Sequence, residues 1–432
     1  MKLQLKQLIL GVMLFGLCGT VFSQQSNENV LRLTLKEAQD YAALNNRTIL
    51  NAGLSVSEAQ KRTWEAISAG LPQVSANVNY QNMMGFKMEF AGMNIAMQPT
   101  SNFQATVSQL LFSASYWVGI KMSKIGEEMS KTARLQAELD IKQQTQTAYH
   151  AVLIAEENKK ILEQNLENIR TLAKSSEDMV RIGVAEQTDA DRMKIQELTM
   201  VNGIAMVGRH IEMAYNLLRF QLGVEANTVI ELTQTLEDLM TASNAHQTLL
   251  TNFDMNANYN MQLMDGQIDL VNKQISLEKS MSLPTVAAFY SHTYKIAKST
   301  FDMSPNNVIG LQANIPIFAS GQRHARTQQA KINLEKAQNS KSLLTDQLLM
   351  QEKQLRFNLS NAIESFELQK EAMDVSQRVF ESVSRKYEQG TASSLDVTIA
   401  SSELLQAQTN YINAMMQVFT AQTELEKLLN AL

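Results

Sequence analysis

Two different hydrophobic periods divide this chain. Leu355, Leu359, Ala362, Phe366, Gln369, Met373, Ser376, Phe380, Val383 and Tyr387 follow an uninterrupted 4-3 spacing. That is a heptad seam, with large residues at one position and mostly smaller ones at the other. A second seam of Leu368, Ala372, Val375, Val379 and Ser382 runs beside it. One seam serves a simple two-stranded coiled coil; two seams mean two neighbours, as in a bundle or a ring of helices. Elsewhere the period is two. Val74, Ala76, Val78 and Tyr80 alternate with Gln73, Ser75, Asn77, Asn79 and Gln81. Phe103, Ala105 and Val107 alternate with Gln104, Thr106 and Ser108, and Ile309, Leu311, Ala313, Ile315 and Ile317 with Gly310, Gln312 and Asn314. These are strands with one apolar and one polar face. A fourth strand, about Thr285 to Tyr294, alternates less cleanly. Such strands fit an accessory sheet on a soluble protein or a lipid-facing barrel wall with a wet lumen.

Proline respects the same division. Pro72, Pro99, Pro284, Pro305 and Pro316 all lie in the strand zones, and none falls between Pro99 and Pro284 or after Pro316. A proline costs about 3 kcal/mol in a helix interior, so these spans permit very long helices. They are expected from about Ser113 to Arg181 and from about Ala319 to Gln389. At 1.5 Å per residue each would reach roughly 105 Å, and a helix that long must pack laterally to be stable.

The chain repeats itself. Leu71-Pro72-Gln73-Val74 resembles Leu283-Pro284-Thr285-Val286, and Leu111-Phe112 resembles Ile317-Phe318. The turn beginning Gly183-Val184 and ending at Asp189 returns as Gly390-Thr391 through Asp396, 207 residues later. Each glycine can take the left-handed conformation that ends a helix, and Thr188 or Asp189, and Ser394 or Asp396, can cap or charge-stabilise the next one. Taken alone, these turns are equally well explained as plain hairpin chemistry. The pattern is a tandem duplication of helix, strand, strand, long helix, turn and helix. It divides the chain into a leader at 1–23, a first repeat at 24–223, a joining segment at 224–246 and a second repeat at 247–432.

Four strands are too few for a closed barrel, which needs about eight. An open edge cannot sit in lipid. If the strands are in a membrane, the chain must oligomerise, and three copies would give twelve strands; the spacing does not choose three over two.

Composition narrows the compartment. Lys2 and Lys6 precede an apolar run from Leu8 to Phe22, and Val21 and Ser23 suit cleavage after Ser23. The only cysteine, Cys18, lies in this segment, and Phe15-Gly16-Leu17 before it fits a lipoprotein cleavage box poorly. The remainder needs no disulfide, which suits export. Beyond the leader no run is long and apolar enough for a membrane-spanning helix. The net charge is −5, which argues against nucleic acid as partner. Only 17 glycines, five prolines and 6% aromatic residues belong to long helices rather than a mixed enzyme fold. His150, His210, His246, His292 and His324 show no metal spacing, and no nucleotide-binding or nucleophile motif is present. No catalytic residue, metal site or cofactor is expected. Met83, Met84, Met88, Met93 and Met97 cluster between the first two strands, but 24 methionines are spread along the whole chain, so packing accounts for them better than Cu(I) binding does.

Several motifs together resemble a known family. They are Leu33-Thr34-Leu35-Lys36-Glu37-Ala38, Ala69-Gly70-Leu71-Pro72, the stretch Ile315 to Gly321, Tyr387-x-x-Gly390-Thr391 and the paired glycine turns. In this duplicated order they resemble the TolC-type outer-membrane efflux proteins over about Leu31 to Leu432. The resemblance implies a homotrimer in outer-membrane lipid, with four strands per protomer in a 12-stranded β-barrel and long helices in an α-barrel tunnel through the periplasm. It implies a passive exit duct that serves an inner-membrane pump through a periplasmic membrane-fusion adaptor. The adaptor would meet the tip turns at Gly183, Val184, Gly390 and Thr391. In the family a tyrosine before the second turn is linked to an aspartate after the first; Tyr387 and Asp189 match those positions. The partnering arginine is replaced by Ala392, and of two acidic ring positions Asp396 matches one while Ile399 occupies the other. A thinner acidic ring and a looser tip are therefore expected. The competing expectation is a periplasmic or surface coiled-coil spacer, which has no need of two duplicated amphipathic strand zones.

Overall fold

The computed structural model describes residues 30–90, 92–96, 98–242, 245–297 and 302–432. The expected leader and Cys18 lie outside the described residues. In chain order the first half runs β1 (Leu31–Leu33), α1 (Leu35–Asn45), α2 (Arg47–Ser68), β2 (Gln73–Gln81), β3 (Lys87–Phe90), β4 (Met93–Ala96), β5 (Thr100–Ser113), α3 (Ala114–Arg181) and α4 (Gln187–Leu222). Then come β6 (Ile230–Leu232), α5 (Leu236–Ala242) and α6 (Ala245–Leu250). The second half is α7 (Tyr259–Ser280), β7 (Thr285–Ala297), β8 (Asn307–Asn314), α8 (Gln322–Glu388) and α9 (Ser394–Leu428).

The two long helices, α3 and α8, have 68 and 67 residues, or about 100 Å each. Neither stands alone. Each runs beside two shorter helices placed end to end: α3 beside α2 and α4, α8 beside α7 and α9. The joints between the shorter helices repeat too. Asn46 caps α2 by accepting the Thr48 N–H, while its Nδ2 donates to the Gln221 carbonyl at 2.7 Å. Asn258 caps α7 by accepting the N–H groups of Asn260 and Met261. Both asparagines are buried. Gly223 (φ +73°) and Asn430 (φ +55°) turn the chain at the ends of α4 and α9. The two halves meet because α3 also packs on α7 near the sheet and on α9 near the tips. The result is an arc of four helices at every level, with α2 and α4 at one edge and α8 at the other.

The two predicted seams of α8 have different fates. Leu355, Leu359, Ala362, Phe380 and Tyr387 of the first are buried. Of the second, Leu368 is 66% exposed, and Val375 and Val379 are each 43% exposed. Among the described residues of one protomer this apolar stripe is left largely uncovered.

The four long strands form one antiparallel sheet in the order β2-β5-β7-β8. Residues paired across a ladder share a face. One face carries the rows Val74-Val107-Tyr290-Ile309 and Val78-Phe103-Tyr294. The other carries Ser75-Thr106-Ser291-Val308, Asn77-Gln104-Thr293 and Asn79-Asn102-Lys295. Strand β7 blurs the alternation because Phe289 sits on the polar face, where its ring lies over Gly310; a Cβ there would meet the ring at 2.8 Å. Strand β8 ends at Asn314, so Ile315 and Ile317 lie beyond it, contrary to expectation. Pro316 has no N–H to donate and restricts the residue before it, which terminates the ladder. The methionine-rich segment is more ordered than a loop: β3 and β4 pair as a small hairpin. Where sheet meets helices, Tyr116 donates to the Ile67 carbonyl (2.9 Å) and its ring occupies the space a Cβ on Gly70 would need.

Midway along α3 a core surrounds the parallel β1–β6 pair, with Tyr149, Val152, Leu218, Leu222 and Phe419. His150 is buried there and stacks on Phe419 at 4.4 Å between ring centres. Burial pushes its imidazole down to about 4. Nearby Gln146 bonds Gln39 and Glu426, and burial raises the Glu426 carboxyl. A base that must stay neutral to remain buried contributes fully above pH 6.5, and that contribution is lost as pH falls toward 4. The loss approaches roughly 3 kcal/mol, partly masked in the total by the opposite slope of Glu426. Thermal melts between pH 7 and 4 should therefore show a smaller acid-induced fall for His150→Gln than for the unmodified protein. Parallel curves would refute the assignment.

Candidate functional site at the helical tips

The ends of the two helical hairpins are built by the same local rules. After α3, Gly183 takes φ +77°, its N–H reaches the Val180 carbonyl (3.0 Å), and the Val184 N–H reaches Met179 (2.9 Å). After α8, Gly390 takes φ +71°, its N–H reaches Tyr387 (2.9 Å), and the Thr391 N–H reaches Lys386 (2.8 Å). This pair of bonds is the helix stop that needs a left-handed residue, and a side chain there would be strained. Gly183, Val184, Gly390 and Thr391 are all exposed, as are Ile182, Leu395 and Ile399.

The following helices begin earlier than the cap candidates suggested, with the cap two residues before Thr188 at the first tip and one before Ser394 at the second. The N-caps are Glu186 and Ser393, and Asp189 and Asp396 occupy the third helical position as the return half of a capping box. The Thr188 hydroxyl bonds the Glu186 carboxylate. Asp396 accepts the Ser393 N–H at 2.9 Å and its hydroxyl at 2.7 Å. Those bonds, the backbone one foremost, hold its carboxyl below the ordinary range. Asp189 accepts the Glu186 N–H on one oxygen and the Ser394 hydroxyl on the other. Ser394 is buried, and this bond ties the start of α4 to the start of α9.

The expected link between Tyr387 and Asp189 is not formed. Tyr387 packs in the tip core with Met193, Phe380 and Val397, and its hydroxyl has no hydrogen-bond partner among the described residues. Asp189 already has a donor at each oxygen, and Ser394 stands where it needs no reach across apolar packing. The sequence offered Ser394 only as a cap for its own helix, a place that Ser393 takes; the approach of two distant helices gives it the bond to Asp189 instead. Among the described residues no group of three or more His, Cys, Asp or Glu could hold a metal ion, and no helix is long and apolar enough to cross a membrane.

The architecture is an amphipathic four-stranded sheet set on a duplicated arc of hundred-ångström helices. The chain belongs to the outer membrane efflux protein family, whose pattern it matches over residues 39–224 and 255–431. It is similar to the outer membrane protein TolC of Salmonella enteritidis, 23% identical over 95% of this chain and 84% of that protein. Among solved structures it shares its fold with the outer membrane protein VceC of Vibrio cholerae (TM-score 0.74, 14% identity, covering 91% of this chain and 95% of that one). It shares it also with the open state of the Neisseria gonorrhoeae MtrE outer membrane channel (TM-score 0.72, 16% identity, 91% and 88% covered).

Removing the Ser394 hydroxyl leaves one Asp189 oxygen without its donor, a loss of about 1.5–3 kcal/mol for a bond to a charged group. Ser394→Ala should speed amide hydrogen exchange in residues 183–194 and 390–400 while leaving the middle core protected. Unchanged exchange at both tips would show that the bond contributes nothing.

Proposed function

We propose that three copies of this chain close into a passive exit duct in the outer membrane, with the helical tunnel in the periplasm. The observation that carries the reading is the pair of raw edges on an amphipathic sheet. Among the described residues strands β2 and β8 each have a neighbour on one side only, and unpaired backbone groups are not tolerated in hydrocarbon. The sheet is antiparallel throughout, so β8 of one copy and β2 of the next run in opposite directions and continue the same ladder. Twelve strands then close a barrel of workable size.

The apolar face would meet lipid. Between Val286 and Tyr294 that face runs about 26 Å along the strand at 3.3 Å per residue, which at a strand tilt of roughly 40° covers about 20 Å of the roughly 25 Å apolar band of an outer-membrane barrel. Aromatic residues stand at both ends of it: Tyr80, Phe103 and Tyr294 away from the helices, Phe112, Trp117 and Phe318 toward them, all exposed in the single protomer. The helical edges match this arrangement. The uncovered stripe of α8 lies at one side of the arc, and exposed Ile195, Leu198, Met206, Met213, Leu217 and Phe220 of α4 at the other. Head-to-tail contact between unlike edges makes a ring when the rotation closes. The exposed tip turns would receive a periplasmic adaptor, and an inner-membrane pump would supply the energy. A coiled-coil spacer is the poorer reading, because it leaves the sheet's apolar face and both sheet edges without a purpose.

Two measurements test this. In detergent the protein should have three times the protomer mass, and Leu368→Glu with Val375→Glu should lower the assembled fraction sharply by placing charge in the α8 stripe. A protomer-sized species from the unmodified protein, or release by carbonate without detergent, would exclude the duct. In planar bilayers Asp396→Asn, which keeps an acceptor for the cap, should reduce preference for cations; unchanged selectivity would remove Asp396 from the conducting path.

A further inference from the structure

We infer that the strand wall of the exit barrel holds no charge filter: among the described residues its lumen face is a neutral surface, mostly of amides and hydroxyls, that passes solutes of either sign. This rests on the channel reading above, which makes the sheet's polar face the lumen wall. Along that face β2 presents Gln73, Ser75, Asn77, Asn79 and Gln81, and β5 presents Thr100, Asn102, Gln104, Thr106 and Ser108. On β7 their partners include Ser291 and Thr293, and β8 adds Gln312 and Asn314 to the face, beside the apolar Phe289 and Val308. Among the described strand residues of this face, Lys295 alone is charged. It is not free to act on a passing ion. Its ammonium pairs with Asp302 at 2.6 Å, with the two side chains only 12% and 18% exposed, and it also donates to the Ser304 carbonyl.

The physical consequence follows from what the wall can donate and accept. A ring of like charges in a pore with low-dielectric surroundings selects ions by sign. Primary amides and hydroxyls offer both N–H or O–H donors and lone-pair acceptors, so they can replace part of the hydration of a cation or an anion alike. Phe289 does not break this surface into an apolar constriction, because Gly310 gives its ring room to lie against the wall. The barrel therefore suits polar, zwitterionic or oppositely charged organic solutes without discriminating among them, and sign preference in the whole duct has to arise outside the barrel.

The test is the reversal potential of the trimer in planar bilayers under a potassium chloride gradient. Neutralising the one ion pair with Lys295→Gln and Asp302→Asn should leave the cation-to-anion permeability ratio unchanged. Gln104 lies in the central row between Asn77 and Thr293, so Gln104→Glu and Gln104→Lys should install a filter, moving the ratio severalfold in opposite directions as charged rings do. A shift of more than about twofold from the Lys295–Asp302 neutralisation would overturn the inference, because the barrel would then already hold a working charge filter. So would a channel that conducts but ignores both Gln104 substitutions, since that face would not be the conducting wall. Absence of any conductance from the unmodified protein would instead overturn the channel reading itself.

Discussion

Backbone hydrogen-bonding groups must be paired wherever water is absent, and that requirement governs the upper end of this molecule. The four strands satisfy three ladders among themselves and leave two rows of N–H and C=O groups at β2 and β8. In water such edges are a liability; in hydrocarbon they are prohibitive. Closure with further copies removes them without any new structural element, because the edges are antiparallel to one another. The helical part carries the same incompleteness by a different force. There it is apolar area rather than backbone polarity that lacks a partner, along the second seam of α8 and the outer face of α4.

Duplication is what makes a ring out of such simple parts. Each half supplies one long helix, two shorter helices in series and two strands, and the halves meet side by side through β5–β7 and through α3. A protomer is therefore already two steps around a ring. The joints show how deep the copying goes. Asn46 and Asn258 are separated by 212 residues, as are Pro72 and Pro284, and each asparagine starts the first of the two short helices beside the long helix of its half. The tips are the place where the copies diverge. Glu186 and Ser393 occupy the same cap position with different chemistry, and only the second tip carries a serine that reaches across to the other.

The tip also shows two demands competing for one carboxylate. Asp189 and Asp396 are both engaged in capping their own helices. Asp396 has one oxygen facing away from those bonds, whereas Asp189 spends its second oxygen on Ser394. Tyr387, with its ring in the core and its hydroxyl unpartnered, fills volume in this structure rather than fastening the tip.

Much of this was legible in the sequence because it depends on periodicity alone. Period-two alternation identified the strands and their faces, proline absence permitted the two long helices, and the end of the alternation together with the glycine turns bounded α3 and α8 to within a few residues and located both tips. The 4-3 pattern distinguished two seams on α8. Sequence could not say which seam a protomer covers for itself, since both are apolar and the choice depends on where α9 and α3 lie. It could not see that Pro316 cuts β8 short of Ile315, because the alternation continues through residues that no longer pair. It placed Tyr387 opposite Asp189 by likeness to relatives, while the folded chain gives that aspartate to Ser394, a contact between residues 205 apart. Local rules of backbone and hydrophobic spacing fixed the elements; hydrogen bonds between distant helices were decided only by packing, because they depend on ångström-scale placement that no spacing encodes.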